Sequence, residues 1–183
     1  VKTASDTDSY EEAVLLCAGI YTDSKDYDKA LGILAPSVQL HTDFGMKCLY
    51  QSAQIQVKKG DIQGADKSYL SIIQTFADNP LSEESMYRRG ELYYSVQDYA
   101  TALVRFNDYN SRYAGSRFSD ASLYYTADCL AQTGSRDRAI LQYEVMLKTY
   151  PQSTYVYSAM KNLMNLYSSS GDYSSALNTA NAL

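Results

Sequence analysis

The chain has 183 residues, a formal net charge of −5 and a pI near 4.8, an acidic balance that argues against a surface built to hold phosphates. It contains no Trp, 4 Phe and 19 Tyr, and Leu, Ile, Val and Phe together make up only about a fifth of it, near the level below which charged chains stay disordered. The core must be built largely from rings whose hydroxyls need water or a partner, which favours a thin architecture over a thick globule.

Taken in chain order, Val1-Lys2-Thr3-Ala4-Ser5-Asp6 shows neither an initiator Met nor an apolar leader run. No apolar stretch approaches the ~18 residues of a membrane span, so a soluble chain, either a processed protein or a fragment of a longer one, is expected, without membrane insertion. A first helix starts near Ser9, with Glu12 three residues on completing a capping box. The turn Lys25-Asp26-Tyr27 leads to a second helix through Ala30 that Pro36 cuts short, leaving an irregular link containing His41. The next pair is centred on Ala53, turns at Gly60-Asp61-Ile62 and continues through Ala65, Tyr69, Ile72 and Phe76. A third begins at Ser82 with Glu83 and Glu84 suited to a helix amino end, passes Met86, Gly90 and Tyr93, turns at Gln97-Asp98-Tyr99 and returns through Ala102, Phe106, Tyr109 and Tyr113. The fourth runs through Leu123, Ala127 and Leu130, turns at Gly134-Ser135-Arg136 and returns through Ala139, Tyr143, Met146 and Tyr150. The fifth carries Met160, Met164 and Tyr167, turns at Gly171-Asp172-Tyr173 and reaches Ala176.

The alanines Ala30, Ala65, Ala102, Ala139 and Ala176 are spaced 35, 37, 37 and 37 residues apart. After three of them, side chains at offsets 0, 4, 7 and 11 share one helical stripe. Gly at the turns suits the left-handed residue that ends a helix, and the following Asp or Ser can cap the next one. Ala18, Ala53, Gly90 and Ala127 are the small residues where a second helix approaches closely. A constant period carrying a turn, a small residue and an aromatic stripe specifies stacked two-helix units rather than an irregular bundle.

Met86-Tyr87-Arg88-Arg89-Gly90-Glu91-Leu92-Tyr93, followed by Ala102-Leu103-Val104-Arg105-Phe106, resembles the tetratricopeptide repeat (TPR) signature in its Gly, Tyr, Ala and Phe; the fourth repeat keeps Ala139 and Pro151. Val14, Leu49, Met86, Leu123 and Met160 stand at the signature's Trp position, and the period is 37 rather than 34. The links Arg112-Tyr113-Ala114-Gly115-Ser116 and Thr149-Tyr150-Pro151-Gln152-Ser153 resemble those of bacterial envelope TPR proteins, namely outer-membrane assembly lipoproteins and the periplasmic partner of the Tol-Pal system. The resemblance implies an all-α, right-handed superhelix over 1–183, with repeats at about 10–40, 44–77, 82–114, 118–151 and 154–183. It also implies a periplasmic or envelope setting, with the cytoplasm as the alternative. Leu183 falls inside the last helix, so an uncapped apolar end available for self-association is expected.

TPR arrays usually bind a peptide or protein segment on the concave surface lined by the first helix of each pair. On that register Tyr50, Tyr87 and Tyr124 form a row at 37-residue spacing, with Lys161 next in it; Gln54, Glu91, Asp128 and Asn165 form a second, and Tyr94 belongs to a third. Tyr beside amide and carboxylate heads suits recognition of an extended backbone, although the three rings can equally pack between helices. Tyr21, Tyr27, Tyr69, Tyr93, Tyr99, Tyr109, Tyr113, Tyr143, Tyr150, Tyr167 and Tyr173 fall on core stripes.

One histidine, and cysteines at 17, 48 and 129 without a C-x-x-C, leave no zinc spacing and argue against a disulfide framework. The cysteines read as small buried apolar residues, and neither metal nor cofactor is expected. Lys161 and Asn165 resemble the opening pair of the family's carboxylate clamp, without the further cations such a clamp needs. The expected function is therefore non-catalytic: a scaffold for a partner protein or peptide, with no nucleic-acid role. The alternative is a glycan-binding or uptake accessory of the envelope. An enzyme using Glu91 and Asp128 as acid and base is the weakest reading, since the repeat itself explains their proximity.

Overall fold

A computed structural model describes residues 4–181 as ten α-helices and no strand. Val1 and Leu183, on which the expectations about the chain ends fell, lie outside the described residues. The helices are α1 (Ala4–Asp23), α2 (Tyr27–Leu34), α3 (Asp43–Lys59), α4 (Ile62–Thr75), α5 (Pro80–Ser95), α6 (Tyr99–Arg112), α7 (Ser119–Gln132), α8 (Arg136–Thr149), α9 (Val156–Ser170) and α10 (Tyr173–Asn181). Two compact units divide within α5: Val1–Arg88 and Arg89–Leu183.

The five intra-hairpin turns share one construction. Lys25, Gly60, Gln97, Gly134 and Gly171 all take positive φ, between 62° and 82°. At the next position Asp26, Asp61, Asp98 and Asp172 accept from the backbone N–H three residues on, capping the second helix. Ser135 stands at the fifth such position and makes no side-chain cap bond. The Lys29 ammonium holds the Asp26 carboxyl below the usual 3.8, helped by the Lys29 N–H; the Thr101 side chain and then its N–H do the same for Asp98, and the Ser175 N–H and then its side chain for Asp172.

The links between hairpins explain the 37-residue period. Phe76, Tyr113 and Tyr150 cap the ends of α4, α6 and α8. The N–H groups of Asn79, Ser116 and Ser153 then turn back to the carbonyls of those three residues. The expected start of α5 at Ser82 is corrected: the helix begins at Pro80, a residue suited to the first helical position. Ser82 instead donates its hydroxyl to the carbonyls of Ile72 and Phe76, closing the end of α4. Ser119 does the same for Tyr113, at 2.9 Å. The Ser9 capping box is likewise corrected, because α1 already begins at Ala4 and Ser9 lies within it.

In the first unit α1 packs on α2, α3 on α4, and α2 on α3. Its core joins Ala18, Ala30, Leu34, Phe44, Cys48 and Ile55. As the proline required, α2 has 8 residues and ends at Leu34, and the segment holding Pro36 and His41 is not helical. In the second unit α6 packs on α7, α7 on α8, α8 on α9 and α9 on α10. Fully buried Phe106, Tyr109, Tyr143 and Met146 fill it, with Ala127, Ala159 and Leu163. Gly90 is where the Phe106 ring lies so close that a Cβ would sit 2.5 Å from it.

Two assignments to the core are corrected. Tyr173 is 73% exposed, because it opens α10 beside its cap rather than on the packed stripe. Cys17 is exposed, whereas Cys48 and Cys129 are buried, and all three are free thiols. Burial pushes the Cys129 thiol up to about 12, with the nearby Asp128 charge adding to it, so it stays protonated and unreactive.

Candidate functional site

The residues singled out from the repeat register are split between the two units. In the first, Tyr50 on α3 is half-buried and donates its hydroxyl to Glu84 Oε1 on α5 at 2.7 Å. Arg88 donates to the same oxygen at 3.0 Å, and the Tyr50 ring meets Tyr69 edge-on at 5.9 Å. Burial, then the hydrogen bond to Glu84, raises the Tyr50 phenol above 10.0. Gln54 is exposed one turn further along α3. Tyr87 is 2% exposed. It is part of the packed interior, and its expected place in an open tyrosine row is corrected accordingly.

In the second unit the register residues converge. Asp128 on α7 is 7% exposed and accepts from Tyr94 at 2.6 Å through one oxygen and from Tyr143 at 3.1 Å through the other. Asn162 on α9 donates to the Tyr143 hydroxyl at 2.9 Å and, at 3.4 Å, to Asp128 and to the Tyr124 hydroxyl. Around this polar centre the rings interlock. Tyr125 meets Tyr94 at 4.7 Å and stacks on Phe106 at 5.3 Å with an interplanar angle of 10°. Tyr124 stacks on Tyr155 at 4.9 Å. Burial pushes Tyr94, Tyr124 and Tyr143 above the ordinary 10.0, and the Asp128 carboxylate adds to it in all three. Tyr125 rises through burial and then a hydrogen bond with Tyr155. Glu91 is partly exposed on α5; Lys161 and Asn165 are exposed on α9, with Asn165 three residues beyond Asn162 and so on the same face.

Chemically this is a holding network. A carboxylate offers about four acceptor sites, and both Asp128 oxygens are engaged by phenol and amide donors. Among the described residues no group of three or more His, Cys, Asp or Glu could hold a metal ion, and no helix is long and apolar enough to cross a membrane. An open depression beside the start of α8 is lined by Ala131, Ser135, Arg136, Arg138, Leu166 and Ser169 among others.

Asn162, Tyr125 and Tyr155 were not found from the register. Asn162 and Tyr125 lie 14 positions ahead of Ala176 and Ala139, beside the rows examined; Gln51 and Arg88 occupy the same position in earlier repeats. Gln51 reaches back to the Leu15 carbonyl at 3.0 Å, as Asn162 reaches back to α7. The available signal was a row of long or amide side chains at a position facing the preceding hairpin.

The family model described as Tetratricopeptide repeat matches residues 84–116 and 121–153, two segments offset by the same 37 residues. Over these two segments the chain matches the tetratricopeptide repeat. Among solved structures it is similar to MamA of AMB-1, with a TM-score of 0.65 and 16% identity over 96% of this chain and 92% of that one. It is similar to MamA (41-end) from Desulfovibrio magneticus RS-1, with a TM-score of 0.71 and 13% identity over 94% and 92%. A Podosopora anserina putative kinesin light chain with nearly identical TPR-like repeats matches at a TM-score of 0.67 and 13% identity over 94% and 92%. At such identities the likeness is one of fold: an all-helical TPR solenoid. No curated protein matches the chain.

Proposed function

We propose that this chain is a non-catalytic protein-interaction scaffold that takes an extended or helical partner segment along the first helices of its repeats. The observation that carries the reading is the Asp128 network. It fixes the hydroxyls of Tyr94 and Tyr143, and through Asn162 that of Tyr124, so the half-exposed Tyr124–Tyr155 stack is held in place before any partner arrives. Rings immobilised in advance lose little entropy on binding, which is the physical basis of an aromatic recognition surface. Tyr124, Glu91, Lys161 and Asn165 are the contacting groups of the second unit, and Tyr50 and Gln54 those of the first. Tyr94 and Asp128 position them, and Tyr87 contributes stability alone. The envelope setting is part of this proposal, supported by the Tyr113-Ala-Gly-Ser and Tyr150-Pro-Gln-Ser links.

The test is selection of a displayed random-peptide library on the intact chain, followed by titration of a selected peptide against Tyr124→Ala and the double variant Lys161→Ala, Asn165→Ala. A loss of at least tenfold in affinity with unchanged helicity is expected. Peptides that bind all variants as tightly as the parent would refute the assignment. Fractionation of cells expressing the full gene product tests the envelope setting, and recovery in the cytosol would remove it.

A further inference from the structure

Two helix faces that are exposed among the described residues carry complementary patterns. On α1, Glu12, Leu16, Ile20 and Asp23 are all exposed, Leu16 at 63%, and at 3.6 residues per turn they fall within an arc of about 80°. The order along the helix is acidic, apolar, apolar, acidic, and exposed Ala13 and Cys17 extend the apolar strip beside it. No Lys or Arg occurs anywhere in α1. On α8, Arg138, Leu141, Val145 and Lys148 are all exposed, Leu141 at 60%, and they too fall within an arc of about 80°. Here the order is basic, apolar, apolar, basic. The charged ends stand ~16 Å apart on α1 and ~15 Å apart on α8, from the helical rise. Among the described residues none of the four end charges is in an ion pair: those of the second unit include Arg105 with Asp108 but neither Arg138 nor Lys148, and those of the first leave out Glu12 and Asp23. Of the acidic groups flanking the α8 strip, Glu144 already accepts the Tyr167 hydroxyl and Asp137 lies in the first turn.

We propose that α1 of one copy docks on α8 of a second copy. Leu16 and Ile20 pack against Leu141 and Val145 in this contact. Glu12 and Asp23 face Lys148 and Arg138 in an antiparallel arrangement, which also opposes the helix dipoles. Charge decides the occupant. Pairing of α1 with another α1 would set carboxylate against carboxylate, and pairing of α8 with α8 would set cation against cation; only the mixed contact brings opposite charges together at both ends. Because the two surfaces differ, the contact is heterologous and adds copies in sequence instead of stopping at a two-fold dimer. A single helix pair buries less than the ~1,000 Å² of a stable interface, so the association is weak, grows with concentration and, resting on exposed charges, falls with salt.

The experiment is sedimentation velocity of the intact chain over a concentration series, with the variants Glu12→Lys, Asp23→Lys and, separately, Arg138→Glu, Lys148→Glu. Their unchanged helicity and melting are checked by circular dichroism, since all four positions are exposed. Parent chain that self-associates, with each double variant weakened at least tenfold, is expected. Mixing the two variants should restore association, because each brings the surface that the other lacks. A parent chain that stays monomeric throughout overturns the proposal. So does association that survives Arg138→Glu, Lys148→Glu, which would place another surface or another partner on α1.

Discussion

The two units are made to one register and both bury tyrosine, but they surround the buried rings with different partners. In the first, Tyr69 and Tyr87 are buried beside Leu34, Ile55, Phe44 and small residues, and half-buried Tyr50 sends its hydroxyl to an ion pair whose arginine is still 38% exposed. In the second, Tyr109 and Tyr143 are themselves fully buried, and Asp128 and Asn162 go into the interior with them. A hydroxyl taken out of water must find a partner inside. In the second unit a buried carboxylate supplies that partner, and through Asn162 the same network reaches the Tyr124–Tyr155 stack.

The comparison breaks most visibly on truncating each core. Tyr143→Ala should lower stability by ~3 to 5 kcal/mol and Leu34→Ala by ~2 to 5. Amide exchange should accelerate in α6–α9 for the first variant and in α1–α4 for the second; acceleration spread evenly over all ten helices in both would show that the units do not differ in this way. Asp128→Ala should follow at ~3 kcal/mol, because it strands the donors of Tyr94, Tyr143 and Asn162 together. The equivalent loss at the half-exposed pair in the first unit, Tyr50→Phe, should stay at or below ~1 kcal/mol. Denaturant unfolding of the two variants measures the ratio directly.

Alkali should sharpen the contrast. Tyr94, Tyr124, Tyr125 and Tyr143 have folded-state values raised above 10.0. Above that pH the unfolded chain holds fewer protons than the folded one, so their contribution is complete below pH 10 and is lost as pH rises through the raised values. Tyrosinate absorbance should therefore appear together with loss of helicity, and α6–α9 should open before α1–α4. At the other end of the scale, the lowered carboxyls of Asp26, Asp98 and Asp172 contribute above 3.8 and fade as pH falls through their folded values. The smallest effect is a gain. Lys25 and Gln97 hold positive φ where the other turns have Gly, so Gln97→Gly should raise stability by up to ~1 kcal/mol in thermal melts.

Much of this architecture could be read from spacing, because a 37-residue period fixes turns, helix direction and the small residues at helix crossings all at once. The Asp caps and the short α2 before Pro36 follow from local chemistry, which needs no knowledge of distant contacts. Tyr87 and Tyr124 show where that reading stops. They occupy the same register position, yet Tyr87 is buried and Tyr124 half-exposed, since exposure depends on which side chain the neighbouring hairpin sets against each ring. Asn162 was missed for the same reason: its importance comes from three acceptors on two other helices, none of which its own repeat announces. Cys17 was placed in the interior by its position in the register, whereas it is exposed; a thiol reagent should accordingly modify it in the native chain and leave Cys48 and Cys129 intact.

The links closed by Asn79, Ser116 and Ser153 have a genetic consequence. Each leaves its helix at the same carbonyl and enters the next through the same backbone turn. A segment that begins in one link and ends in the next is thus a cassette whose two ends already match. Unequal recombination between repeats can insert or remove 37 residues without inventing a loop, and the array can change its number of binding positions while every junction keeps a geometry it has already used.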